Sequence, residues 1–527
     1  MKKKYLPGLV LFVLACAVPP IDATERASEA NGAVIDIGSR LELFVDDFLI
    51  DRLTGGAEQR LHHPVPQEII MVHDSPWEGS CSGYHTIFRD GDIYRMYYKA
   101  CGFCLREDEE LYAHPLYFCY AESEDGIHWS KPELGLYEFQ GSRANNIVMI
   151  THKIGDITID AGHGAVFKDD NPEASPDARY KAFFRATRPH APPGLIPFKS
   201  PDGIHWSPMI ETRVLTSGTF DSQNLAFWDS LRGEYRVYWR YLNKEDSPDP
   251  NIKGPIFFRS IRTARSKDFL RWRYVLNLDY GEESPLVHLY TNVVKPYYRA
   301  PHLYIGFPVR YIERGWSPSM RALPELEHRE LRARLSTRYG TALTESLIMF
   351  SRDGVNFKRW EEAFLRPGIE RPGTWNYGQQ YIAWHLVETR SPLNGAPNEL
   401  SLYATESYWT EPGSALRRYT LRLDGFVSIH APMSGGEMIT RPLTFSGSEL
   451  VLNFSTSAAG DIRVEIQDES GHPLPGFTLD DCPAIFGDSI ERAVVWKNGR
   501  NLADLQGNSV RLRFVLRDAD LFSLRFK

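Results

Sequence analysis

A seven-residue turn that recurs along the chain constrains its fold more than any other feature. Ser123-Glu124-Asp125-Gly126-Ile127-His128-Trp129 returns as Ser200-Pro201-Asp202-Gly203-Ile204-His205-Trp206 and as Ser351-Arg352-Asp353-Gly354-Val355-Asn356-Phe357. A degenerate copy is Ser266-Lys267-Asp268-Phe269-Leu270-Arg271-Trp272. Asp-Gly permits a tight turn with positive φ, the Ser and Asp side chains satisfy loop amides, and the aromatic residue anchors the following strand. The aspartates stand 77, 66 and 85 residues apart, a period that suits a four-stranded sheet with its loops.

Alternating strand patterns lie upstream of each copy. They are Tyr84–Phe88 with Ile93–Tyr98, Gly164–Phe167 with Tyr180–Arg185, Asn224–Trp228 with Tyr235–Trp239, and Asn292–Val294 with Leu303–Phe307. A fifth set, Tyr381–Trp384 with Leu400–Ala404, lacks the Asp-Gly turn and ends in Leu416–Leu423. Five such units predict an all-β chain built as a five-bladed β-propeller over residues 36–430, in which radial repetition protects the sheet edges. The one helical candidate, Leu323–Leu335, reads as an insertion in the fourth unit. The early run Leu41–Val45 reads as the strand that closes the ring. From Pro432 the pattern changes to runs such as Glu449–Phe454, Ile462–Ile466 and Val510–Leu516, which predict a C-terminal β-sandwich over residues 432–527.

The N-terminus carries Met1-Lys2-Lys3-Lys4, the apolar run Leu9–Ala15 and a small-x-small site at Ala15-Cys16-Ala17, so residues 1–23 read as an export signal. Cys16 offers a lipoprotein reading that the bulk of Leu14 disfavours; cleavage near Ala17 or Ala23 is expected. No segment has the length of about 20 apolar residues that a stable membrane span requires. The mature chain is expected in the periplasm or outside the cell. Its net charge of −8 speaks against a nucleic-acid partner. The Cys101-Gly102-Phe103-Cys104 spacing lacks the second ligand pair of a zinc site, so it reads as a local disulfide or buried thiols. No phosphate loop, dinucleotide fingerprint or nucleophile elbow is present, and no cofactor or metal is implied. The sequence carries no signal of oligomeric state.

The turn Ser-x-Asp-Gly-x-x-Trp at blade spacing, in a chain with an export signal, resembles the five-bladed glycoside hydrolases: the invertase and levanase group and the arabinanase and xylosidase group. The C-terminal sandwich resembles the layout of the invertase group. That group's Trp-x-Asn-Asp-Pro-Asn-Gly, Arg-Asp-Pro and Glu-Cys motifs do not occur here, so no catalytic residue is carried across by motif and fructan hydrolysis is not implied. The resemblance implies a carbohydrate substrate and a central pocket lined by side chains at the start of each blade's innermost strand.

Glycoside hydrolysis ordinarily uses two carboxyl groups, one protonated and one ionised. Asp221 in Thr219–Asn224, Asp160 in Ile159–Gly164 and Glu78 before Gly79–His85 stand at suitable strand starts and are the catalytic candidates; the alternatives are a loop cap for Asp221, turn formation for Asp160 and an exposed loop glutamate for Glu78. His85 and His163 occupy similar places in consecutive units and read as hydrogen-bonding or proton-transfer groups. Asn292 and Arg310 are the candidates for a sugar carboxylate or sulfate, and Trp375 for a stacking platform. The reading is an exported hydrolase of a plant or algal glycan. The alternatives are a non-catalytic carbohydrate-binding propeller and a lyase that uses His85 or His163 with a tyrosine.

Overall fold

Each copy of the repeated turn joins the third and fourth strands of an antiparallel sheet. The computed structural model describes residues 34–105, 111–113, 115–246, 255–410, 413–499 and 501–527; the export signal and Cys16 lie outside them. The chain is nearly all β, as its sequence predicts. Five sheets follow one another along it. The first contains Gly83–Asp90, Ile93–Ala100, Tyr117–Ser123 and Ile147–Ile150; the second Ile157–Lys168, Tyr180–Arg188, Ala191–Ser200 and Ser207–Pro208, with His152–Ile154 at its edge. The third contains Leu225–Asp229, Glu234–Asp246, Pro255–Ser266 and Arg273–Asn277; the fourth Lys295–Tyr297, Ala300–Gly306, Met349–Ser351 and Lys358–Arg359. The fifth contains Val387–Thr389, Glu399–Glu406, Ala415–Leu421 and, from far upstream, Val65–Val72.

The turn chemistry is the same in each copy. In the second, Asp202 Oδ1 accepts from the amides of Ile204 and His205 at 2.8 and 2.9 Å, and Ser200 Oγ accepts from Gly203 N at 2.8 Å. The indole N–H of Trp129, Trp206 and Trp272 donates back to the carbonyl three residues earlier, at 3.1 Å each time. Gly126, Gly203 and Gly354 take φ of 76°, 82° and 77°, and Phe269 takes 65° in the degenerate copy.

The turns also staple neighbouring sheets, a role their local chemistry does not announce. Tyr403 of the fifth sheet donates to Gly126 O at 2.6 Å, the Tyr97 hydroxyl of the first sheet lies against Gly203, Phe183 of the second stacks on Phe269 at 4.6 Å, and Tyr238 of the third donates to Gly354 O at 2.8 Å. In the fifth unit Asp424-Gly425 stands in for the missing motif: Asp424 Oδ1 accepts from Tyr297 and Arg299 of the fourth sheet at 2.7 and 2.8 Å. Each sheet's turn thus docks on the sheet before it, and the first docks on the fifth.

Three expectations are corrected. The strand completing the fifth sheet is Val65–Val72, paired with Ala415–Leu421, and not Leu41–Val45. Val65–Val72 is an outer strand and largely exposed, so it shows little hydrophobic signal; Leu41–Val45 is buried throughout, and its Glu42–Leu43 pairs with the C-terminal strand Arg511–Phe526. Residues 35–61 as a whole pair with C-terminal strands, in an eight-stranded sheet centred on Arg511–Phe526 and a small parallel pair, Ile35–Gly38 with Leu443–Phe445. The core there includes Phe445 stacked on Phe526 at 3.8 Å. Finally, Cys101 bonds to Cys81, across 5.0 Å between Cα atoms, and not within its own Cys-x-x-Cys run. Cys119 and Cys482 are buried and free.

The predicted helix is present as Leu326–Leu335, carried with Pro318–Ala322 and Thr337–Thr341 between Val309–Glu313 and Ala342–Ser346, two strands of a separate three-stranded sheet with His288–Leu289. No helix among the described residues is long and apolar enough to cross a membrane.

Candidate functional site

In four sheets a non-glycine residue with positive φ lies in or up to seven residues before the first strand: Tyr84 (54°), Phe220 (35°), Val293 (47°) and Gln380 (62°). Such conformations cost on the order of 1–3 kcal/mol each and persist where the surrounding structure fixes them. The second sheet enters through a bulge, its register passing from Asp160↔Arg185 to Ala165↔Phe183 so that Ala161–Gly164 oppose Phe184 alone. Gly164 is required there because a Cβ would run into the Phe184 ring. A bulge re-aims side chains, and this one carries His163.

Around these entries the side chains form a continuous group. Asp160 Oδ2 accepts from His163 Nδ1 at 2.7 Å and from Arg185 Nη1 at 3.1 Å, while Oδ1 accepts from Gly162 N at 2.7 Å. Burial pushes the Asp160 carboxyl up, but the charges and hydrogen bonds of His163, Gly162 and Arg185 outweigh it and hold the group well below the usual carboxylate range. On the third sheet Asp221 is ion-paired with Arg240, whose side chain is 5% exposed against 50% for Asp221. Burial again acts to raise the Asp221 carboxyl, and Arg240, helped by the charge of His163, overcomes it. Both carboxyl groups are therefore ionised near neutral pH.

Aromatic rings connect the two. Tyr84 lies 5.8 Å from His163 and 6.1 Å from Tyr381; Tyr381 lies 5.6 Å from Tyr290; the Arg240 guanidinium stands 4.7 Å from the Tyr290 centroid. The Tyr377 and Tyr290 hydroxyls meet at 2.8 Å. Lys99 Nζ lies 4.7 Å from the Tyr84 centroid and 3.4 Å from the Tyr408 hydroxyl. Burial pushes the Lys99 ammonium down to about 8, with Asp160 opposing the shift. Among the described residues no group of three or more His, Cys, Asp or Glu side chains is placed to hold a metal ion.

Of the residues singled out from sequence, Asp160, His163 and Asp221 come together here. The others are engaged elsewhere. Glu78 is buried, accepting from Lys131 at 2.6 Å and from the Tyr98 hydroxyl at 2.5 Å. His85 is buried with its Nε2 3.0 Å from that of His73, and burial holds its pKa well below the usual histidine value. Asn292 is buried, its backbone carbonyl accepting from Phe307. Arg310 is locked to Glu345 at 2.6 Å and to the Glu361 carbonyl at 3.0 Å. Trp375 donates its indole N–H to Gly368 O at 2.9 Å, a hold on its own loop.

Lys99, Arg185, Arg240 and the tyrosines are the residues that sequence reading missed. The three cations follow a pattern that was available: each directly follows a buried aromatic, Tyr98, Phe184 and Trp239, in the second strand of the first, second and third units.

No protein-family model matches the chain, and no curated protein matches it in sequence. Its structure is similar to several solved ones. A glycoside hydrolase aligns at TM-score 0.43 and 13% identity, over 68% of this chain and 92% of that one. An N-acetylgalactosamine deacetylase from F. plautii, in complex with blood group B trisaccharide, aligns at 0.42 and 12%, over 69% and 95%. A thermostable family-43 glycoside hydrolase aligns at 0.40 and 12%, over 67% and 95%.

Proposed function

We propose that this protein is an exported glycoside hydrolase whose site lies at the centre of a five-bladed β-propeller, with a C-terminal β-sandwich beside it. The five sheets are the blades, and the cyclic docking of each turn on the preceding sheet supports the ring. The Cys81–Cys101 disulfide supports export, since such bonds persist in oxidising compartments. The observation that carries the catalytic reading is the Asp160–His163 pair of one sheet standing beside the half-exposed, ionised Asp221 of the next, over a bed of tyrosine rings.

The roles follow from the charges. With both carboxyls ionised, neither is the proton donor. His163 gives Nδ1–H to Asp160, which leaves Nε2 to protonate the departing glycosidic oxygen. Asp160 orients the ring through that hydrogen bond, as the group behind a catalytic base does in general. Asp221, held in place by Arg240, supplies the negative charge that an oxocarbenium-like transition state requires. Water then adds to the anomeric carbon and gives its proton to His163, which has just lost its own to the leaving oxygen, so the starting state is restored. Tyr290, the half-buried ring of the group, gives a sugar face a surface to lie on, and the buried rings of Tyr84, Tyr377 and Tyr381 pack around it.

The test is a panel of plant and algal oligosaccharides with products read by mass, beside Asp221→Asn and His163→Gln. Release of products that contain the elements of water, lost in both variants, supports the reading. An unsaturated product points to a lyase instead. The engagement of both acids by cations favours a second reading, a carbohydrate-binding protein without turnover; it predicts a rise in Tm with glycan and no product.

A further inference from the structure

Positive charge exceeds negative charge around this site, in a chain whose net charge is −8. Lys99, Arg185, Arg240, Arg259 and Arg338 gather about the tyrosine bed against Asp160, Asp221 and Glu313. Arg185 and Arg240 are paired with the two aspartates. Glu313 accepts from the Tyr311 hydroxyl at 2.7 Å. Among the described residues, no carboxylate forms an ion pair with Arg259 or Arg338.

Those two guanidiniums are placed by aromatic faces. Arg259 lies 4.4 Å from the Tyr311 centroid and 5.3 Å from that of Tyr290, with Nη1 3.4 Å from His288 Nδ1. Arg338 lies 4.6 Å from the Tyr339 centroid, and its Nη2 donates to the Tyr339 hydroxyl at 3.3 Å. Both are partly exposed. Donors without acceptors also collect here: Arg240 Nη1 and Arg338 Nη1 are buried and unbonded, as is the Tyr381 hydroxyl. A desolvated guanidinium is costly unless an anion accompanies it, and its planar fork fits the paired oxygens of a carboxylate or sulfate.

We infer that the glycan taken by this site carries a negative charge, a uronate carboxylate or a sulfate ester, and that Arg259 and Arg338 are the residues that read it. This rests on the carbohydrate reading above. The anion role that the sequence suggested for Arg310 passes to these two, because Arg310 is already satisfied by Glu345.

The experiment measures binding of the full mature chain, by calorimetry, to trigalacturonate, to a monosulfated galactotriose and to neutral arabinotriose, with Arg259→Gln, Arg259→Lys and Arg338→Gln alongside; unchanged Tm certifies the fold of each variant. The expected result is at least a tenfold preference for one charged trisaccharide over the neutral one. Which of the two binds tells carboxylate from sulfate. Arg259→Gln and Arg338→Gln lose that preference, and Arg259→Lys keeps only part of it. Equal or tighter binding of arabinotriose, or charged-sugar affinity unchanged in both Gln variants, overturns the inference and leaves the carbohydrate reading standing. Failure of all three sugars to bind overturns both.

Discussion

Asp160 owes its ionisation foremost to His163, with Gly162 and Arg185 adding to it, and Asp221 owes its own to Arg240. The consequence is a site whose proton carrier is a histidine and whose acids serve as fixed charges. Asp221→Asn keeps a hydrogen-bond acceptor for Arg240 while removing the charge, so turnover should fall by about 10³ or more, with a fall in Tm as well because the buried Arg240 loses its counter-charge. Equal kcat in the variant would remove Asp221 from the chemistry. Lys99 adds a pH signature. Its ammonium is held near 8 against an ordinary 10.5, so it is cationic below that pH and neutral above it. Affinity for an anionic sugar should therefore fall above about pH 8, and Lys99→Arg should move that limb beyond the measurable range. A binding profile flat from pH 7 to 9.5 would show that Lys99 takes no part.

At the scale of the element, the repeated turn does two jobs, and glycine substitutions separate them. Gly203 has φ of 82°, and a Cβ would meet the Tyr97 hydroxyl of the preceding sheet; Gly135 has φ of 69° with nothing within 4 Å. Gly135→Ala should cost about 1 kcal/mol, the backbone term alone. Gly203→Ala should cost about 2–3 kcal/mol because the staple between sheets is disturbed as well. Urea unfolding of the pair measures the difference, and equal losses would reduce the turn to a local device. The Cys81–Cys101 bond closes a loop spanning 20 residues next to the tyrosine bed. Its reduction should lower stability by about 3 kcal/mol on the loop-entropy model, read as a drop in Tm on adding a reductant.

The whole molecule is built to be stable at neutral and mildly alkaline pH. His73 and His85 are buried and His385 half-buried, all with pKa values below the ordinary 6.5, lowered foremost by loss of solvent around the ring. The unfolded chain binds protons at these sites first, so stability declines as pH falls below about 6.5. A second decline follows at lower pH. Burial acts to raise Glu42, but His302, Arg352 and Arg40 bring it from 4.5 down to about 2; the turn residues Asp202, Asp268 and Asp353 are lowered too, against burial, by the amides they accept from. The stabilisation these groups give is complete above about pH 4.5 and is lost as pH falls toward 2. Urea midpoints should be level from pH 7 to 8, fall between 6.5 and 5, and fall again below 4.5. A midpoint unchanged from pH 7 to 5 would contradict the assignment of the buried histidines as neutral.

The sequence by itself determined the repeating sheets, because the Ser-x-Asp-Gly turn and the alternation of strands are local patterns whose causes lie within a few residues. It also placed Asp160, His163 and Asp221 at strand entries, since polar residues beside glycine or before an apolar run are visible without a fold. Tertiary structure decided the rest. Glu78, His85 and Arg310 have the residue types of a site, and only packing shows that Lys131, His73 and Glu345 already engage them. Tyr84, Tyr290 and Tyr381 are three of 26 tyrosines, and only the meeting of distant strands sets Tyr381 6.1 Å from Tyr84 and 5.6 Å from Tyr290. The strand closing the fifth sheet comes from over 340 residues upstream and is mostly exposed, so neither hydrophobic pattern nor proximity in sequence marks it. Local rules fix turns and strands; which charges neutralise one another, and which remain for a ligand, depends on distances that exist only once the sheets have met.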